Sequence, residues 1–80
     1  MSRTEINEKL TAIFREIFED NTIVLEDNMT SLDIEKWDSL THMLMIEEVE
    51  DCFNIKFKIK ELNKLKRVGD MLDTLESKLQ

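Results

Sequence analysis

The stretch WDSLTHMLMIEEVEDCFNI, residues 37–55, decides how this chain is read. It opens on a helix-start signal: Asp38 can accept from backbone N–H groups in the first turn of whatever follows. Behind it, His42, Met45, Ile46, Val49, Cys52 and Phe53 recur at helical spacing along one side. The pattern predicts a helix from Ser39 to about Phe53 with that side turned inward, and Cys52 packed as a small buried hydrophobe. Ser39 falls in the first turn. Unpaired N–H groups and the positive end of the helix dipole there favour an anionic group such as a phosphodiester. Asp38-Ser39-Leu40 also reads as an ordinary capped helix start, and on the tripeptide alone the cap is the favoured reading. The opposite side carries Leu40, Met43 and Leu44, with Glu47, Glu48, Glu50 and Asp51 around or after them. A small apolar patch with an acidic rim suits a transient docking surface, the patch giving contact and the charges giving speed and register. A thick bundle would instead bury Met43 and Leu44.

Working outward, Ile6, Leu10, Ile13, Phe14 and Ile17 form one apolar stripe, and Ser2 with Glu5 forms a capping box. These predict a first helix from about Arg3 to Phe18. Between Glu19 and Trp37 the periodicity fails, and Ile23, Val24, Leu25, Met29, Leu32 and Ile34 stand isolated among Asp, Asn, Ser and Thr. That segment reads as a long loop pinned to the bundle, and a connection of such length usually serves a function. Beyond residue 55, a short third helix is expected around Ile59 to Leu65, anchored by Leu62 and Leu65, with few apolar contacts and so the most mobile element. A last helix follows from Val68, its stripe being Val68, Met71, Leu72, Leu75 and Leu79. The sum is an all-α, four-helix bundle, three longer helices and one short, in a single domain spanning residues 1–80.

Composition agrees. The chain has 80 residues, no Pro, no Tyr and one Gly, which favours helices over a sheet with tight turns. A domain of this size buries only roughly 60% of its unfolded surface, leaving no room for an elaborate enclosed active site. The one cysteine cannot form an internal disulfide. No apolar stretch approaches the roughly 20 residues of a membrane span or forms a secretory signal, so a cytoplasmic protein is expected. The net charge of −7 is uneven: residues 1–54 hold 4 Lys/Arg against 14 Asp/Glu, and residues 55–80 hold 7 against 4. An acidic field repels phosphate backbones and steers basic partner surfaces, so nucleic-acid binding is not expected. The run Lys56, Lys58, Lys60, Lys64, Lys66 and Arg67 lacks interleaved aromatics and reads as a solvated face.

Chemistry intrinsic to the chain finds little support. Ser39 as a nucleophile would need a base, an orienting group and oxyanion donors. His42, the only histidine, is claimed by the inward stripe. The acidic pairs Glu26-Asp27 and Glu47-Glu48 lack the alternating ligands and central Gly of a calcium loop, and no Cys/His zinc spacing is present, so no metal is expected.

From Asp38 through Leu75 the chain resembles, without a gap, the acyl carrier protein family. The landmarks are Ser39-Leu40, then Phe53-Asn54-Ile55 as aromatic, turn residue and aliphatic, then Val68-Gly69-Asp70 at the start of the last helix. The resemblance implies a 4'-phosphopantetheine arm, taken from coenzyme A and attached by a phosphopantetheinyl transferase to Ser39, with Asp38 and Leu40 at the attachment site. It implies a non-catalytic carrier of acyl or aminoacyl thioesters. Its partners would be acyl-activating, condensing or acyltransferase enzymes whose basic surfaces meet Leu40, Met43, Leu44, Glu47, Glu48 and Asp51, and the carrier would be monomeric. Trp37 and His42 recur in some stand-alone carriers, which implies a scaffold or cofactor-contact role for His42. Several positions depart from the family's fatty-acid pattern: Thr41 and Leu44 replace acidic residues, the 56–67 stretch is rich in lysine, and Arg67 stands where a Ser or Thr cap is usual. The last of these predicts a less sharply defined start to the final helix. The departures point to a specialised lipid, polyketide or surface-polysaccharide pathway. No Gly precedes Asp38, which weakens the match to carriers of nonribosomal peptide pathways. The competing readings are an unmodified helical interaction domain and a small hydrolase built on Ser39 and His42.

Overall fold

A computed structural model describes all 80 residues. Its helices are α1 (Arg3–Ile17), α2 (Ser39–Phe53), α3 (Ile59–Leu62) and α4 (Val68–Lys78), with no strand and one long connection between α1 and α2. The expected all-α bundle is therefore observed. α1 stops one residue short of the expected Phe18, and α3 is a single turn rather than reaching Leu65. The shortening follows from the hydrogen bonds, which tighten from Asn63 N–H to the Ile59 carbonyl, through Lys64 to Glu61, to Lys66 on Lys64.

Local chemistry sets each helix end. At the start of α1 the Ser2 hydroxyl accepts from the Glu5 N–H at 3.2 Å, and the Glu5 carboxylate accepts from the Ser2 N–H at 3.0 Å. At its end Glu19 takes a left-handed conformation (φ 54°), so that the Glu19 and Asp20 N–H groups return to the Glu16 and Arg15 carbonyls. Asn54 (φ 55°) closes α2 in the same way, with the Ile55 N–H on the Glu50 carbonyl.

α1 packs against both α2 and α4. The core comprises Ile6, Leu10, Ile13 and Phe14 from α1, Met45, Ile46, Val49 and Phe53 from α2, and Val68, Met71, Leu72 and Leu75 from α4. Leu65 and Phe57 join it from either side of α3, while Leu62 is only partly buried and Ile59 is exposed. Cys52 departs from expectation. Its angular position lies beside Met45, yet it is exposed, because burial needs a covering element and none lies over that part of the last turn of α2.

The long loop is held at alternate points. Ile23, Ile34 and Trp37 are buried and Leu25 and Met29 pack against the core, but Val24 is 69% and Leu32 94% exposed, so these two do not pin it. A segment lying over a surface can turn only part of its apolar residues inward. The loop is also tied by its main chain: the Val68 N–H donates to the Met29 carbonyl at 3.0 Å and the Gly69 N–H to the Asp27 carbonyl at 2.8 Å. Gly69, the only glycine, permits this approach, since a Cβ there would stand 2.9 Å from the Asp27 oxygen. The Asp70 carboxylate accepts from the Arg67 N–H at 3.0 Å. The start of α4 is thus well defined despite Arg67, because Asp70 holds the Arg67 N–H and the loop takes those of Val68 and Gly69. Arg3 binds the same corner together from α1, reaching Asp27, Asp73 and Glu76 at 3.3, 2.8 and 2.9 Å.

Candidate functional site

Ser39 is the first residue of α2 and is exposed. The turn around it is capped by its neighbours. Asp38 Oδ1 accepts from the Thr41 N–H at 2.9 Å, while Thr41 Oγ1 accepts from the Asp38 N–H at 2.8 Å and donates to the Lys36 carbonyl at 2.7 Å. These N–H contacts, that of Thr41 foremost, hold the Asp38 carboxyl below the usual carboxylate range. The Ser39 hydroxyl takes no part in this pairing. Thr41 is the capping partner that the residue order did not reveal: it stands at the third helical position, where the usual capping-box template has Glu or Gln.

Trp37 anchors the turn from behind. Its ring is buried, meets Phe14 edge-on at 5.2 Å and lies 5.6 Å from Phe18. Its indole Nε1–H donates to His42 Nδ1 at 3.0 Å, with the two rings within 13° of parallel. His42 is half-buried at the rim of the core rather than within the inward stripe, and burial pushes its pKa below the usual 6.5. Since Nδ1 is committed to Trp37, it is not available as a base toward Ser39. No three His, Cys, Asp or Glu side chains converge as a metal site.

A groove of about 610 Å³ opens at Ser39, lined by Ser31 of the long loop, by Trp37, Asp38, Ser39, His42 and Met43 at the start of α2, and by Leu65 and Lys66 after α3. Ser31, Leu65 and Lys66 are brought to the serine by the fold; no local pattern connects them.

Leu40, Met43 and Leu44 are 70%, 57% and 47% exposed, so the bundle does not bury Met43 and Leu44. At about 3.6 residues per turn, Leu40, Met43, Leu44, Glu47 and Asp51 share one outer face, with Glu48 at its edge. Glu47, Glu48 and Asp51 are all exposed. Glu50 is different: its carboxylate turns back to accept the Phe57 N–H at 2.8 Å and shapes the chain after α2. Lys56, Lys58, Lys60, Lys64, Lys66 and Arg67 are exposed. No helix is long and apolar enough to cross a membrane.

No protein-family model and no curated protein matches the chain. Solved structures do. The holo acyl carrier protein from Geobacter metallireducens is 47% identical, with a TM-score of 0.85 over 90% of this chain and 83% of that one. A proposed acyl carrier protein from Mycobacterium tuberculosis is 25% identical, with a TM-score of 0.79 over 90% of this chain and 96% of that one.

Proposed function

The chain belongs to the acyl carrier protein family, and from that premise we propose that it carries acyl or aminoacyl groups as thioesters on a 4'-phosphopantetheine arm attached to Ser39. The observation that carries this reading is an exposed first-turn serine whose hydroxyl is left free because Asp38 and Thr41 cap the helix between them. The surroundings suit the group. The groove is open to solvent, presents Trp37, Met43 and Leu65 as an apolar wall, and has Lys66 among its lining residues. The neighbour from Geobacter metallireducens is itself a holo protein.

In attachment, a phosphopantetheinyl transferase joins the Ser39 oxygen to the phosphorus bearing the pantetheine of coenzyme A; the pyrophosphate P–O bond breaks, 3',5'-ADP leaves with the bonding pair, and the serine proton passes to a base of the transferase or to water. The bound arm supplies a terminal thiol for the thioester. The chain's own residues do the rest: Asp38 and Thr41 hold the turn so that the hydroxyl faces outward, and Leu40 beside it offers an apolar contact to transferase and client. Leu40, Met43, Leu44, Glu47, Glu48 and Asp51 form the face for acyl-activating, condensing or acyltransferase enzymes with basic surfaces. The protein is a shuttle rather than a catalyst, raising the local concentration of a tethered intermediate. Thr41, Leu44 and the lysine-rich 56–67 segment favour a specialised lipid, polyketide or surface-polysaccharide pathway over a housekeeping one. We take it to work as a cytoplasmic monomer.

The exposed face of α2 would serve an unmodified interaction domain equally well, and intact-mass measurement separates the two. After incubation with coenzyme A and a broad-specificity transferase, the wild type should gain one phosphopantetheine and Ser39→Ala none, with stability unchanged to within about 0.5 kcal/mol. An unmodified wild type beside a competent control carrier would favour the interaction domain. Reversing Glu47 and Glu48 to Lys should slow loading more at low salt than at high salt, whereas equal rates would remove this face from recognition.

A further inference from the structure

We infer that the groove at Ser39 seats the phosphodiester of the arm, with His42 Nε2–H donating to a phosphodiester oxygen and Lys66 supplying the opposing charge from the far wall. This rests on the carrier reading above and adds to it: the root of the arm is held by the protein rather than left in solvent.

The hydrogen bond from Trp37 fixes the chemistry of His42. An indole N–H can only donate, so His42 Nδ1 is the acceptor, and the proton of the neutral ring sits on Nε2. The Trp37 bond is the one that the His42 side chain makes within the chain, which leaves Nε2–H without a protein partner on a residue lining the groove. Buried contacts on Trp37 from Phe14 and Phe18 keep this arrangement rigid. His42 follows Ser39 by three positions on one helix, where Cβ atoms stand about 5–6 Å apart, so a phosphorus bonded to the serine oxygen would come within reach of the imidazole.

The charges facing this spot are few. Asp38 contributes a carboxylate, but it is already engaged by the Thr41 N–H. Lys66 contributes an ammonium, and unlike Lys56 near Glu50 and Arg67 on Asp70 it belongs to no ion pair. A phosphodiester placed between them adds one negative charge to a neutral pair, and an unengaged donor and an unpaired cation are what it requires. Seating it would also tie the turn after α3, through Lys66, to the start of α2.

The test uses the loaded protein, made with coenzyme A and a transferase and verified by mass before anything else is read. Failure to load overturns the carrier reading, and this inference with it. On loaded protein, the ³¹P resonance is followed through the His42 titration, over a pH range in which a phosphodiester does not itself titrate. An inflection is expected in wild type and absent in His42→Gln. The His42 imidazole ¹⁵N resonances should titrate at higher pH in loaded than in unloaded protein, because the new neighbour is an anion. Lys66→Ala, at an exposed position, should displace the ³¹P resonance without disturbing the Trp37 indole N–H resonance. A flat phosphorus titration with identical His42 resonances in the two forms would overturn the seat, and a ³¹P resonance unmoved by Lys66→Ala would remove Lys66 from it.

Discussion

The starts of α2 and α4 face the same difficulty, a set of backbone N–H groups with no partner inside the helix, and they meet it from opposite sources. At α2 the partners are local side chains, Asp38 and Thr41, and the serine between them stays exposed. At α4 two of the partners are carbonyls of a distant loop, Met29 and Asp27, and the residue at the contact is a buried glycine. A helix start capped from within its own turn keeps one surface clear for chemistry. A helix start capped by another segment gives up that surface and gains a tertiary link. The second arrangement supports the first: the loop fastened at α4 is the same loop that delivers Trp37 to the core and so sets where α2 begins.

That division can be attacked from either end. The largest effect should come from Trp37→Ala, which empties the aromatic contact with Phe14 and Phe18 and frees His42; removing a buried aromatic of this kind costs about 3–5 kcal/mol. Urea unfolding measures it, and a loss near 1 kcal/mol would mean that capping alone holds the α2 start. Next comes Gly69→Ala. Overpacking costs about 1–3 kcal/mol, against which alanine's helix propensity returns about 1, so a net loss of about 1 kcal/mol is expected. A variant as stable as wild type would show that the loop yields easily and that the link to α4 is weak. The smallest effect is in pH. Burial lowers the folded-state pKa of His42, so the unfolded chain takes up the proton first, and stability should decline as pH falls below about 6.5 toward that lowered value. Asp38 and Asp70 are held below the usual carboxylate range by Thr41 and Arg67; their contribution is present above about pH 4 and is lost as pH falls through their lowered values. Thermal unfolding of wild type and His42→Gln across both ranges should separate the two: the substitution flattens the upper decline and leaves the lower one. A decline above about pH 5 that survives the substitution would place its origin outside the Trp37–His42 pair.

Much of this was legible in the residues. The stripes of α1 and α4 repeat at helical spacing, and every position assigned to them is buried or packs against the core. Asp38 as a cap and Ser39 as an exposed first-turn residue follow from the order of two side chains. What was not legible falls into two kinds. Cys52, Val24 and Leu32 have the right residue type, and Cys52 the right angle, but burial depends on what lies opposite, which periodicity does not report. The Trp37–His42 bond, Lys66 beside Ser39 and the loop carbonyls at α4 join parts of the chain with no shared local pattern. The early end of α3 reflects a run of tightening hydrogen bonds rather than any stop residue.

The contact at α4 has a further consequence for how this chain can diverge. Carbonyl oxygens are common to all residues, so the main-chain ties at Asp27 and Met29 do not themselves select a side chain; related sequences could exchange the loop's exposed positions, Val24 and Leu32 among them, while its path stayed the same. The constraint is displaced across the contact. It falls on one atom that is missing, the Cβ of Gly69, so that exposed loop positions can change more freely than the residue across the contact.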